Sequence, residues 1–80
     1  MEDKVLDASG LACPMPLVKA RQELNHLSIG QTLKVICTDR GSINDFQGWA
    51  KSANNLELVK QETLHQNGKE VFVHYIKKTN

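Results

Sequence analysis

The residues best placed to do chemistry lie in Leu11-Ala12-Cys13-Pro14-Met15-Pro16, a thiol followed by prolines at alternate positions. Proline has no N–H and its φ is already near the helical value. It therefore suits the first turn of a helix, where N–H groups have no intrahelical partner. With Pro14 at the first helical position and Pro16 at the third, Cys13 is the expected N-cap. The N–H groups of Met15 and Leu17 are then expected to point toward a group at the cap. The positive end of the helix macrodipole, about half an elementary charge, falls at the same place and lowers a thiol pKa. Met15 must adopt helical angles ahead of a proline, which is disfavoured, so a rigid turn has to impose them. The pattern is that of a single sulfur atom held outward as a nucleophile.

The second thiol reads differently. Cys37 alternates with Leu33 and Val35, which places it on the buried face of a strand as a small apolar residue. The two cysteines are far apart and lack Cys-x-x-Cys spacing, and His26, His65 and His74 are scattered singly. Two free thiols are expected, with no metal and no bound cofactor.

The elements that must position Cys13 follow from the periodicity. Val5-Leu6-Asp7-Ala8 is a short strand. Pro14 to about Leu27 is a helix burying Leu17, Ala20, Leu24 and Leu27, with Gly30 beyond its end. Thr32–Thr38 alternates as a second strand, and Asp39-Arg40-Gly41 is a turn. Ser42 with Asp45 three residues on predicts an N-cap for a second helix that buries Ile43, Phe46, Ala50 and Ala53. That helix is expected to close at Asn54-Asn55 in the left-handed conformation. Leu56 to about Leu64 and Glu70–Lys78 are strands joined by Asn67-Gly68, the dipeptide of a type I′ turn. The order βαβαββ predicts an α+β fold, a mixed sheet with both helices on one face.

In a parallel βαβ unit the loops after both strands emerge at one sheet edge, so Asp39, Arg40 and Ser42 are expected on the Cys13 side. Arg40 there would favour a thiolate or a partner carboxylate. Met15, Val18 and Arg21 flank the buried helical stripe and form an expected docking surface around the sulfur. Trp49, next to Phe46 in the helical pattern, is expected in the core.

Composition narrows the function classes. Eighty residues, 40% of them hydrophobic and 5% aromatic, predict one domain over residues 1–80 with its chemistry at the surface. Ten Lys+Arg against nine Asp+Glu leave a net charge of +1, too balanced for binding by phosphate neutralisation, so no nucleic-acid partner is expected. No apolar run approaches the ~20 residues of a membrane span, and the N-terminus lacks an apolar signal segment. A cytoplasmic monomer is expected.

Leu6-Asp7 and Gly10-Leu11 followed by Cys13-Pro14-Met15-Pro16 resemble the signature of the TusA/SirA sulfur-carrier family. The likeness continues through Lys34-Val35-Ile36-Cys37-Thr38-Asp39, Asp45-Phe46-Gln47-Gly48-Trp49 and Val73-His74-Tyr75-Ile76-Lys77-Lys78. The resemblance implies a two-layer α/β sandwich on a four-stranded mixed sheet. It also implies that Cys13 carries sulfur as a persulfide, received from a cysteine desulfurase or rhodanese and passed to an acceptor protein. Pro14, Met15, Pro16 and Leu17 would support the carrier residue; Val18, Arg21, Asp39 and Arg40 would meet partners. Relatives devoted to tRNA thiolation carry Glu at the position of Met15 and Arg at that of Ala12, so the pathway served stays open. Two other readings stand beside this one. The first is a non-catalytic regulatory or interaction module. The second is RNA binding, by analogy with the C-terminal domain of translation initiation factor three, against which the neutral charge counts.

Overall fold

The structure is a computed structural model that describes residues 3–12 and 14–79. Its elements are β1 (Lys4–Ala8), α1 (Met15–Leu24), β2 (Thr32–Cys37), α2 (Ser42–Ser52), β3 (Leu56–Gln66) and β4 (Lys69–Lys78). The four strands form one sheet in the order β1-β2-β4-β3. β1 runs parallel to β2, while β4 is antiparallel to both β2 and β3. The expected mixed sheet is present. Both helices pack on the face that carries Leu6, Ala8, Leu33, Val35, Cys37, Phe72 and Ile76.

Period-two alternation explains which residues enter this layer. In β2, Leu33, Val35 and Cys37 are fully buried while Lys34 and Ile36 are half-covered on the opposite face. From α1 come Pro16, Ala20 and Leu24, with Leu27 buried just after the helix; Phe46 is the main contribution of α2. Leu17, Ile43, Trp49, Ala50 and Ala53 pack against this cluster while remaining half-buried. Trp49 meets Phe46 edge-on at 5.9 Å and keeps one side in a surface groove, so it borders the core that the sequence placed it in.

Three local expectations are corrected. First, α1 starts one residue later than its prolines suggest: Pro14, at φ −97° and ψ 14°, is the N-cap, and Met15 and Pro16 occupy the first and second helical positions. The N–H of Met15 donates to the Ala12 carbonyl at 2.9 Å, closing a turn before the first α-helical bond, from Val18 N–H to the Pro14 carbonyl at 3.1 Å. Second, Gly41 rather than Ser42 is the N-cap of α2, without a side-chain capping bond, because the Ser42 hydroxyl faces into the core. Third, α2 ends at Ser52 through an extended Ala53, and neither Asn54 nor Asn55 takes a positive φ.

The hairpin agrees with its sequence. Asn67 (φ 53°) and Gly68 (φ 77°) both sit in the left-handed region, as a type I′ turn requires. Because β4 leaves β2 at the Phe72–Cys37 pair, residues 64–71 extend past the end of β2 on the edge where β1 also ends.

Candidate functional site

β1 delivers the chain to this edge in register with β2, Ala8 lying opposite Cys37. It then leaves the sheet through a turn at Ser9 and Gly10. The Asp7 carboxylate accepts the Ser9 N–H at 3.0 Å, and hydrogen bonding from the Ser9 hydroxyl and then from this N–H holds its pKa below the ordinary carboxylate value. Gly10 has φ +81°, a conformation that a side chain would strain, and its N–H donates to Thr38 Oγ1 at 2.8 Å. This bond joins the loops that follow β1 and β2, so the two loops share one sheet edge as the parallel topology requires.

Cys13 itself lies outside the described residues; its neighbours define the setting. Ala12 and Pro14 are exposed, and Met15 is 43% exposed, whereas Pro16 is buried and Leu11 and Leu17 are half-buried against the core. The helix start is thus anchored by Pro16 and Leu17 and open to solvent at Pro14 and Met15. No acidic residue stands in the first turn of α1, so nothing in that turn opposes the positive pole of the helix. Fewer N–H donors face the cap than the sequence suggests, since Pro16 has none and that of Met15 is held by Ala12.

The other site residues fall into two groups. Val18 and Arg21 lie together on the exposed flank of α1, where they line a groove with Gln22 and Asn25. A second groove of about 350 Å³ continues from Arg21 and Asn25 between the helices to Trp49, Ser52 and Ala53. Asp39 and Arg40 belong instead to the loop after β2. The Arg40 guanidinium is 3.5 Å from the Glu70 carboxylate on the projecting hairpin, and its side chain is 80% exposed. Ser42 is buried and belongs to neither surface.

Cys37 is sealed, as its place in the strand predicts. Burial pushes its thiol up to about 11, which leaves it protonated and unreactive in the folded chain.

A polar cluster that sequence reading missed lies beside it. His74 is fully buried and stacks on Phe46 at 4.4 Å with an interplanar angle of 11°. Its Nε2 is 2.9 Å from Ser42 Oγ and its Nδ1 3.1 Å from Gln61 Nε2, which also donates to the Ile43 carbonyl at 3.1 Å. The amide donor fixes Nδ1 as the acceptor, so Nε2 carries the proton and donates to Ser42. Ser42 in turn bonds the Cys37 thiol. Burial holds His74 neutral, its pKa lowered to about 4. The usable signal was period two: His74 alternates with Phe72 and Ile76, both buried.

Comparison with known proteins agrees with this geometry. The family described as Sulfurtransferase TusA matches residues 4–78. The sulfur carrier protein TusA of Allochromatium vinosum is 49% identical over 67 residues, covering 84% of each chain. A protein of Halobacterium salinarum provisionally named a sulfur carrier is 42% identical over 76 residues, 95% of this chain and 89% of its own. The crystal structure of a SirA-like protein from Desulfitobacterium hafniense superimposes with a TM-score of 0.67 at 23% identity, over 91% of this chain and 95% of that one, and so shares the fold. A family match across nearly every element, with relatives of similar length, means that the chain belongs to the TusA sulfurtransferase family.

Proposed function

We propose that this chain is a sulfur carrier whose Cys13 takes up sulfane sulfur as a persulfide and hands it to an acceptor protein. The observation that carries the reading is the solvent-open, proline-framed start of α1 immediately after Cys13, with no carboxylate in its first turn. The chemistry needs little more. The Cys13 thiolate attacks the outer sulfur of a donor persulfide, the donor thiolate leaves, and the outer sulfur stays on Cys13. An acceptor thiolate then attacks that sulfur, and Cys13 departs as a thiolate. Both steps are exchanges between proteins, so a convex site serves them better than a cleft.

The donor belongs to the class of cysteine desulfurases or rhodaneses, which form persulfides on their own cysteines. Val18 and Arg21 offer such a partner an apolar and a cationic contact along α1; Asp39 and Arg40 offer charged contacts from the adjoining loop. Met15 and Ala12 make the immediate surroundings of the sulfur uncharged. A persulfide relay needs free thiols, which fits a cytoplasmic setting. No helix among the described residues is long and apolar enough to cross a membrane.

Incubation with a cysteine desulfurase and cysteine, followed by intact-protein mass spectrometry, tests the reading. One added sulfur atom is expected on the native chain, removed by dithiothreitol and absent from Cys13→Ser. No adduct from either a desulfurase or a rhodanese donor would defeat it.

A further inference from the structure

We propose that Thr38 is a positioning residue for Cys13, its hydroxyl holding the loop that carries the thiol to the start of α1. The bond from Gly10 N–H to Thr38 Oγ1, 2.8 Å long, spans 28 residues of sequence and fastens the loop after β1 to the end of β2. Local bonds among the described residues of this stretch run from Ser9 N–H to Asp7 Oδ1 at 3.0 Å, from Leu11 N–H to the Ala8 carbonyl at 3.2 Å, and from Met15 N–H to the Ala12 carbonyl at 2.9 Å. Local bonds shape a turn, but they do not fix its direction relative to the sheet. The Thr38 bond supplies that direction, three residues ahead of Cys13.

The geometry is built for the purpose. The β1–β2 register ends at Ala8 opposite Cys37, which brings the next residues of β1 alongside Thr38. Gly10 then turns its N–H to the hydroxyl through φ +81°, although a Cβ there would meet no atom within 4 Å. The glycine thus serves conformation rather than space. Thr38 and Gly10 are both exposed, so the bond adds little to global stability, as exposed hydrogen bonds generally do, and its effect falls on loop orientation.

The test compares Thr38→Val, which keeps the shape and removes the hydroxyl, with Thr38→Ser, which keeps the hydroxyl. Alkylation of Cys13 by iodoacetamide is followed against pH by peptide mass mapping, well below the melting temperature. Persulfide transfer from a cysteine desulfurase to an acceptor thiol is measured in parallel. Loss of one hydrogen bond that orients the thiol is expected to slow Cys13 alkylation at neutral pH and persulfide transfer by about three- to ten-fold, and to move the pH profile alkaline. Thr38→Ser is expected to stay within about twofold of the native chain. Thr38→Ala provides a second hydroxyl-free variant should the valine perturb folding. An unchanged profile in both hydroxyl-free variants overturns the proposal, as does equal loss in Thr38→Ser. The transfer readout rests on the carrier reading, whereas alkylation does not. A native chain that takes up no sulfur would defeat that reading and leave the positioning claim to be decided by alkylation.

Discussion

The buried histidine makes the stability of this protein fall in a defined pH window. His74 is neutral in the fold because burial lowers its pKa from 6.5 to about 4. The unfolded chain therefore binds a proton at pH values where the folded chain excludes it. Stability from this source is complete above pH 6.5 and is lost as pH falls toward 4. At ~1.4 kcal/mol per pH unit the loss approaches about 3 kcal/mol across that window. A domain of this size has roughly 4–12 kcal/mol in total, so the change is large. Urea denaturation of the native chain and His74→Gln at intervals from pH 7.5 to 4.5 provides the assay. The variant has a constant deficit, because it loses the stack on Phe46 and the bond to Ser42, but its slope across the window is expected to be much flatter. Asp7 and Glu23, whose pKa values are lowered by hydrogen bonds from Ser9 and Lys4, contribute stability that is lost only as pH falls below the ordinary carboxylate values. They act equally in both proteins and cancel in the comparison. Parallel slopes, or an NMR titration of the His74 ring near 6.5, would refute the reasoning.

Native-state labelling with a maleimide is expected to modify Cys13 alone, Cys37 reacting only after denaturation; rapid native labelling of Cys37 would contradict its burial. Cys37→Ala is expected to cost about 1–2 kcal/mol, measured by urea denaturation, for the lost core contacts and thiol bond to Ser42. Gly68→Ala, at φ +77°, is expected to cost about 1 kcal/mol by the same measurement, through strain in the type I′ turn. Arg40→Ala is expected to leave the melting temperature unchanged, because the pair with Glu70 is solvent-exposed, and to slow persulfide transfer if the loop after β2 meets the partner.

The order of elements, the mixed sheet, the buried and outward faces of β2 and the type I′ turn were all legible in the sequence. Each rests on a periodicity or a dipeptide whose meaning is local. Two misreadings, at Ser42 and His74, come from a tertiary partner that overrides a local preference, and the one at Pro14 comes from a competing local turn. Ser42 has the residue type of an N-cap, yet His74, distant in sequence, takes its hydroxyl into the core. Pro14 has the residue type of a first helical position, but the turn that Met15 closes onto Ala12 moves the helix start forward by one residue. His74 reads as one of three singly scattered histidines, because its partners on β3 and α2 are distant in sequence. At the candidate site, the shared edge of the two loops was legible from the parallel topology alone. The bond that fastens them, Gly10 to Thr38, was not, since nothing local to Thr38 distinguishes it from any other residue at a strand end.

The opposite characters proposed for the two thiols follow from the register of β1 and β2. Cys37 is the strand partner of Ala8, so the register that buries Ala8 buries the thiol with it and raises its pKa. The chain then has to leave the sheet before it can present a second sulfur to another protein. It does so at Ser9 and Gly10, and α1 begins from its N-cap at Pro14, where both prolines limit the conformations available. Rigidity therefore comes from the ends of the loop, and exposure from Ala12 between them. That division suits a carrier. A persulfide buried well enough to be protected would be out of reach of the acceptor thiol, while one on an unrestrained tail would lose the orientation that the helix pole rewards. Ala12 and Met15, beside Cys13 in the chain, are uncharged, whereas Arg21 and Arg40 carry positive charge on α1 and on the loop after β2. On the proposed reading, partner choice is separated from sulfur chemistry, and substitution of Arg21 or Arg40 is expected to change persulfide transfer while leaving the alkylation rate of Cys13 unchanged.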